Sequence, residues 1–199
     1  MAFDPELPLF PLPTVLFPDG LLCLKVFEAR YLDLMADCLR ERQAFGVVLR
    51  SATATAAMPD FEATGTRAEL IDVDSEQAGI LLVRCRGAQR FAIRSRRQRK
   101  DGLWLAQTEA IAADEAVAPP YALVDSARGL VAAINALDAR NERPFLEPNR
   151  FDDAGWVANR WCESLPISAR ATHKLMELPD PLVRLELVDE FLRKKGVVG

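Results

Sequence analysis

The first hydrophobic pattern in the chain is broken by proline rather than by charge: residues 7–18 read LPLFPLPTVLFP, with Pro8, Pro11, Pro13 and Pro18 set among Leu, Phe and Val. A proline fixes its own backbone angle and donates no amide hydrogen, so this stretch is expected to be a stiff extended path rather than a helix or a central strand. After Gly20 the pattern changes. Residues 21–27 are an apolar run broken only by Lys25, which predicts a strand, and Leu32, Met35, Ala36 and Leu39 then recur at the spacing of one helical face.

Strand signals follow. Residues 43–49, 66–73, 80–86, 90–97 and 103–111 read as strands, and the Ala- and Thr-rich stretch 51–63, with Pro59, reads as an exposed loop. Turn signals separate the strands: Asp74-Ser75 with Gly79, then Gly87, then the hairpin dipeptide Asp101-Gly102. Connections this short predict antiparallel neighbours in a meander or small barrel. Residues 112–120, with Asp114, Glu115 and the pair Pro119-Pro120, interrupt the pattern and read as a linker. Beyond them the apolar period is helical over 122–139, 154–165, 169–177 and 181–195, with Ser168 placed to cap the third of these helices. In the last, Asp180 is placed as N-cap, Pro181 as the first helical residue, and Leu182, Leu185, Val188 and Leu192 as the buried stripe. The expected class is α+β: an antiparallel β barrel or sheet over 1–111, a linker over 112–120 and a helical bundle over 121–199.

A chain of 199 residues can bury a sizeable core without a covalent staple. Its 25 basic and 29 acidic residues give a net charge of −4, which weighs against a nucleic-acid binder as a class. The opening MAFDPELPLF carries acids where a secretory leader needs bases, and no run reaches the roughly 18 apolar residues of a membrane span. A cytoplasmic protein with no membrane partner is therefore expected. Cys23, Cys38, Cys85 and Cys162 fit neither a zinc ribbon nor a Cys-x-x-Cys pair, so they read as reduced, mostly buried thiols and not as metal ligands.

Candidate chemistry is sparse. The single histidine, His173, lies within a predicted helix with no nucleophile or orienting acid nearby in sequence, so it reads as a structural residue. No Gly-Lys dipeptide occurs, which excludes a phosphate-cradling loop, and no G-x-S-x-G elbow is present. Asp33 and Asp37 fall on the polar side of their helix. Glu28 differs: it sits with Arg30 at a strand-to-helix junction between Phe27 and Tyr31, where it serves either as a local ion pair or as a polar anchor at the rim of a groove. The run R-S-R-R-Q-R-K places Arg94, Arg96, Arg97, Arg99 and Lys100 before the Asp101-Gly102 turn. Alternation along a strand splits these cations between two faces. Trp156 and Trp161, five residues apart, do not share one helical face.

Several ordered segments carry a resemblance. P-L-F-P-L-P-T-V-L-F-P-D-G from Pro8, V-F-E-A-R-Y-L from Val26, F-G-V-V-L from Phe45, Gly65-Thr66, G-A-Q-R-F from Gly87 and W-V-A-N-R-W-C-E-S-L-P-I-S from Trp156 together resemble the N-terminal domain of the Lon protease family. That resemblance implies a PUA-like β fold followed by helices, and noncatalytic recognition of unfolded or exposed hydrophobic polypeptide. Complete Lon proteases continue into an ATPase module and a protease module with a Ser-Lys dyad. This chain shows the motifs of neither, so no ATPase or peptidase activity, no catalytic residue and no cofactor are expected. The residues offered for peptide binding are Phe17, Phe27, Glu28 and Tyr31. Expected partners are unfolded or damaged polypeptides and a full-length Lon protease, with the chain itself a monomer or weak dimer. PUA-like folds elsewhere bind RNA, so an RNA-binding reading through Arg96, Arg97 and Arg99 is the first alternative; a hydrolase or small-molecule binder is the second.

Overall fold

The computed structural model describes residues 6–51 and 60–199. Its first unit, Met1–Ala112, is built on β1 (Leu7–Leu12), β2 (Leu21–Val26), α1 (Ala29–Glu41), β3 (Phe45–Arg50), β4 (Phe61–Gln77), β5 (Ile80–Gln98) and β6 (Trp104–Ala110). The strands form one sheet in the order β2-β5-β4-β3-β1-β6, and a further β5–β6 pairing closes it into a barrel. All pairings are antiparallel except β1 with β3, which is parallel. That pair departs from the expected meander: β1 and β3 are joined through β2 and α1, a connection long enough for a parallel crossover.

The proline-rich opening is also more than an extended path. β1 has strand neighbours on both sides, and the reason is stagger: β6 faces only Leu7–Leu9, whereas β3 faces only Leu9–Leu12. Residues of opposite parity direct their backbone groups to opposite sides of a strand. Pro8 can therefore point its ring nitrogen to the β3 side before that ladder begins, and Pro11 to the β6 side after that ladder ends. With that parity neither proline costs a ladder bond.

Gly87 is not a turn. It lies inside β5, a single strand of 19 residues that replaces the two expected over 80–86 and 90–97. Before Gly87 the strand pairs with β2, and after it with β6. At the changeover Gly87 N donates to Gly20 O at 2.9 Å and Gly87 O accepts from Asp19 N at 2.7 Å. A Cβ on Gly87 would stand 2.0 Å from Phe17 O, so the backbone approach demands glycine. Similarly, Asp74 and Ser75 lie within β4, and the reversal into β5 falls at Gly79, whose φ is +80°. β4 begins at Phe61, inside the stretch expected to be loop; residues 52–59 of that stretch lie outside the described residues.

Apolar residues on both faces of β3 are buried, which accounts for its unbroken F-G-V-V-L sequence. Phe45 and Val47 join Phe10, Tyr31, Leu34, Met35 and Cys38 in one cluster, and Val48 joins Leu7, Leu9, Phe61 and Phe91 in another. α1 covers the first cluster with Tyr31, Leu34, Met35 and Cys38.

The second unit, Ala113–Gly199, holds a 3-10 turn (Tyr121–Leu123), α2 (Val124–Asp138), α3 (Ala154–Ser164), α4 (Ala169–Glu177) and α5 (Pro181–Lys194). Helix starts follow local capping: Asp153, Ser168 and Asp180 each accept backbone N–H bonds from the first turn they precede. α3 is buried on all sides from Ala154 to Cys162, including both Trp156 and Trp161. Trp161 Nε1 donates to Ser126 O at 2.9 Å. Buried Arg184 of α5 donates to Asp114 Oδ2 at 2.6 Å, Asn159 Oδ1 at 3.0 Å and Leu175 O at 3.0 Å. Asp114 and Val117, from the segment that reads as a linker, are thus bound into this unit, Val117 O accepting from Ala154 N at 2.8 Å. Among the described residues no helix is long and apolar enough to cross a membrane.

Candidate peptide-binding cavity

The end of β1, the end of β2 and the first turn of α1 surround a cavity of about 540 Å³ in the first unit. Phe10 of β1 and Tyr31 of α1 form its aromatic floor, their rings stacked with centroids 3.8 Å apart and planes 15° from parallel. Leu12, Leu24, Phe27 and Trp104 extend the apolar lining. Phe27 is 65% exposed although it is a large aromatic between two regular elements. Burial raises the pKa of Tyr31, which Arg30 and Arg50 oppose and Glu28 reinforces, so the phenol stays a neutral hydroxyl at physiological pH.

Arg30 organises the polar side. Its Nη2 pairs with Glu28 Oε2 at 2.7 Å, its Nη1 donates to Gly102 O at 3.1 Å, and its guanidinium carbon lies 4.8 Å from the centre of the Tyr31 ring. One side chain thereby ties the start of α1 to the β5–β6 turn. Gly102 has φ +87°, and a Cβ there would stand 2.7 Å from Arg30 Nη1, so the glycine serves both the turn and this contact. Lys25 and Arg50 complete the charged lining.

Three of the four residues offered for peptide binding, Phe27, Glu28 and Tyr31, therefore line one cavity. The fourth, Phe17, is fully buried, and its carbonyl packs against Gly87. Phe10, Leu24, Lys25, Arg50 and Trp104 join the lining without having been singled out for binding. They come from β1, β2, β3 and β6, and no local motif marks them as neighbours.

The basic arm reads differently in three dimensions. Arg94 pairs with Glu109, Arg97 with Glu6, Arg96 with Asp60 at 3.1 Å, and Arg99 with Asp101 at 2.6 Å. Arg96 also lies over the Phe61 ring at 4.3 Å. Each of these arginines faces a carboxylate of the same chain, which leaves little uncompensated charge for phosphate and does not favour the RNA reading. His173 is buried in α4, with Nδ1 3.8 Å from Glu177. Burial pushes the Cys38 thiol up to about 11 and those of Cys85 and Cys162 up to about 12, so none is a ready nucleophile. Among the described residues no group of three or more His, Cys, Asp or Glu side chains is placed to hold a metal ion.

The family model for the substrate-binding domain of the ATP-dependent protease La (Lon) matches residues 6–194. The chain belongs to this family. The Lon N-terminal domain protein from Xanthomonas campestris shares 32% sequence identity, superposes with a TM-score of 0.73, and is aligned over 92% of this chain and 96% of its own. The N-terminal domain of the Mycobacterium avium complex Lon protease, at 17% identity, matches with a TM-score of 0.66 over 94% of this chain and 98% of that one, a likeness of fold. No curated protein sequence matches the chain significantly. The expected α+β class agrees with these Lon N-terminal domain structures, and the matched family describes a substrate-binding module, distinct from an ATPase or peptidase module.

Proposed function

We propose that this Lon-type domain recognises unfolded polypeptide without catalysis, and that the Phe10–Tyr31 cavity takes the large apolar side chains of the bound segment. Family membership supports a substrate-recognition role. The observation that carries the site is the combination of a cavity of about 540 Å³ floored by the Phe10 and Tyr31 rings with the exposed Phe27 ring in its lining. That volume lies within the roughly 300–1,000 Å³ of ordinary ligand pockets. Apolar burial at about 25 cal/mol per Å², offset by the ordering of a flexible segment, gives micromolar affinity. A full-length Lon protease that receives the bound chain is the partner this reading calls for.

Photo-crosslinking tests the site. A reduced, unfolded protein carrying a photoreactive phenylalanine analogue should label Leu24, Phe27 or Trp104, and its folded form should not compete. Labelling confined to Val183 and Leu187, an exposed apolar pair on α5, would move the site to the second unit and overturn the proposal.

A further inference from the structure

The cavity takes consecutive residues from two strands. Phe10, Pro11, Leu12 and Pro13 all line it at the end of β1, and Leu24 and Lys25 both line it from β2. Successive side chains of a strand point to opposite faces, so a cavity lying on a face would take alternate residues. This one meets both strands edge-on.

β2 has an open edge to offer. Among the described residues it pairs with β5 alone, antiparallel and in unbroken register from Leu21–Arg86 to Val26–Leu81. Gly20 O accepts from Gly87 N, which sets residue 20 towards β5. Parity then turns the N–H and C=O groups of Leu21 and Cys23 away from β5. Two other open edges of this unit are blocked. On β1 the ladder to β6 ends at Leu9, and beyond it Pro11 brings no N–H. Beyond Ala68, β4 has a ladder to β5 and none to β3, but that stretch breaks register between Leu70 and Asp72 and between Ser75 and Gln77, and it carries Glu69, Asp72 and Asp74. Prolines, bulges and charges keep an edge from taking another strand; the L-L-C-L sequence from Leu21 has none of them.

We infer that the bound segment adds to β2 as an extended strand, its backbone bonded to Leu21 and Cys23, with a large apolar side chain carried past Leu24 into the Phe10–Tyr31 cavity. This rests on the cavity being the peptide site and assigns the way the segment is held. The occupant is unfolded polypeptide because an open edge takes a chain whose own N–H and C=O groups are unpaired, and a folded protein has almost all of these paired. Backbone bonds accept many sequences, and the cavity adds the preference for a large apolar group.

Fluorescence anisotropy on the full chain tests this with a short labelled peptide that has an aromatic-apolar centre, and with two forms of it N-methylated at alternate residues, one form for each edge of the extended peptide. The central side chain fixes the register, and only one edge of an added strand bonds to β2. One form should therefore lose about tenfold or more in affinity while the other stays within about threefold of the parent. Cys23→Pro removes an N–H that faces away from β5 and should lower affinity about tenfold, whereas Cys23→Ala should leave it unchanged. If Cys23→Pro unfolds by circular dichroism, amide exchange on the wild type takes its place: the Leu21 and Cys23 amides should slow on peptide binding, while that of Leu22, already turned to β5, should stay as it was. Equal affinity of the two methylated forms, undiminished binding to a folded Cys23→Pro, or Leu21 and Cys23 amides indifferent to the peptide overturns strand addition and leaves the cavity standing as the peptide site. Failure of the parent peptide to bind the folded wild type overturns both.

Discussion

Tyr31, at the start of α1, lies flat on Phe10 of β1 with ring centroids 3.8 Å apart. The two rings belong both to the core under α1 and to the floor of the cavity, so the binding surface is the outer side of a packed cluster. Truncation by Tyr31→Ala removes a nearly buried ring and should cost about 3–5 kcal/mol in urea denaturation. Tyr31→Phe keeps the stack and should cost less than about 1.5 kcal/mol.

Two glycines separate steric demand from backbone demand. Gly87→Ala forces a methyl to within 2.0 Å of Phe17 O, where both partners are backbone held in a hydrogen-bonded pairing. A loss of about 3 kcal/mol or more is expected, or failure to accumulate folded protein. Gly79→Ala meets nothing within 4 Å but must adopt φ +80°, so its cost should be only about 1–2 kcal/mol. Thermal melts of the two variants side by side check the difference.

In the second unit, Arg184→Met strips donors from Asp114, Asn159 and two carbonyls that are reached by a guanidinium only 1% exposed. Removing one partner of a buried ion pair should cost about 3–5 kcal/mol. Arg184→Met combined with Asp114→Leu should recover part of that loss. A double-mutant cycle in urea reads the coupling directly.

The buried thiols set an alkaline limit. Burial pushes the Cys38 thiol up to about 11 and the Cys85 and Cys162 thiols up to about 12 in the folded protein, above the range of about 8.5 of a solvated thiol. Above pH 9 the unfolded chain holds fewer protons than the native one, so stability is full below that pH and falls as pH rises toward 11–12. Cys23, exposed on β2, should react rapidly with a thiol reagent in the native state, with the other three following only on unfolding.

Much of the second unit was legible because helix limits are written locally. The helix read over 169–177 is α4, Ala169–Glu177, with its Ser168 cap, and the Asp180-Pro181 start of α5 is likewise in place. The barrel was less legible, since its strands depend on neighbours distant in sequence. A proline rule that treats both sides of a strand as paired misses β1, whose two ladders are offset. Gly87 carries the turn signature of any glycine between strands, and only the approach of Phe17 tells the two roles apart. At the cavity, Phe27, Glu28 and Tyr31 are contiguous and could be found together. Phe10, Arg50 and Trp104 are brought in by the parallel β1–β3 pair and the closure through β6, which periodicity does not encode.

The central claim is that the Phe27 side of the Phe10–Tyr31 cavity holds the bound segment, and Phe27→Ala addresses it most directly. Because Phe27 is 65% exposed, its truncation should leave stability within about 0.5 kcal/mol of wild type. Affinity for a neutral aromatic peptide, measured by anisotropy, should fall about tenfold, as expected for an aromatic surface buried only on binding. Undiminished affinity in a variant that melts like the wild type would contradict the account.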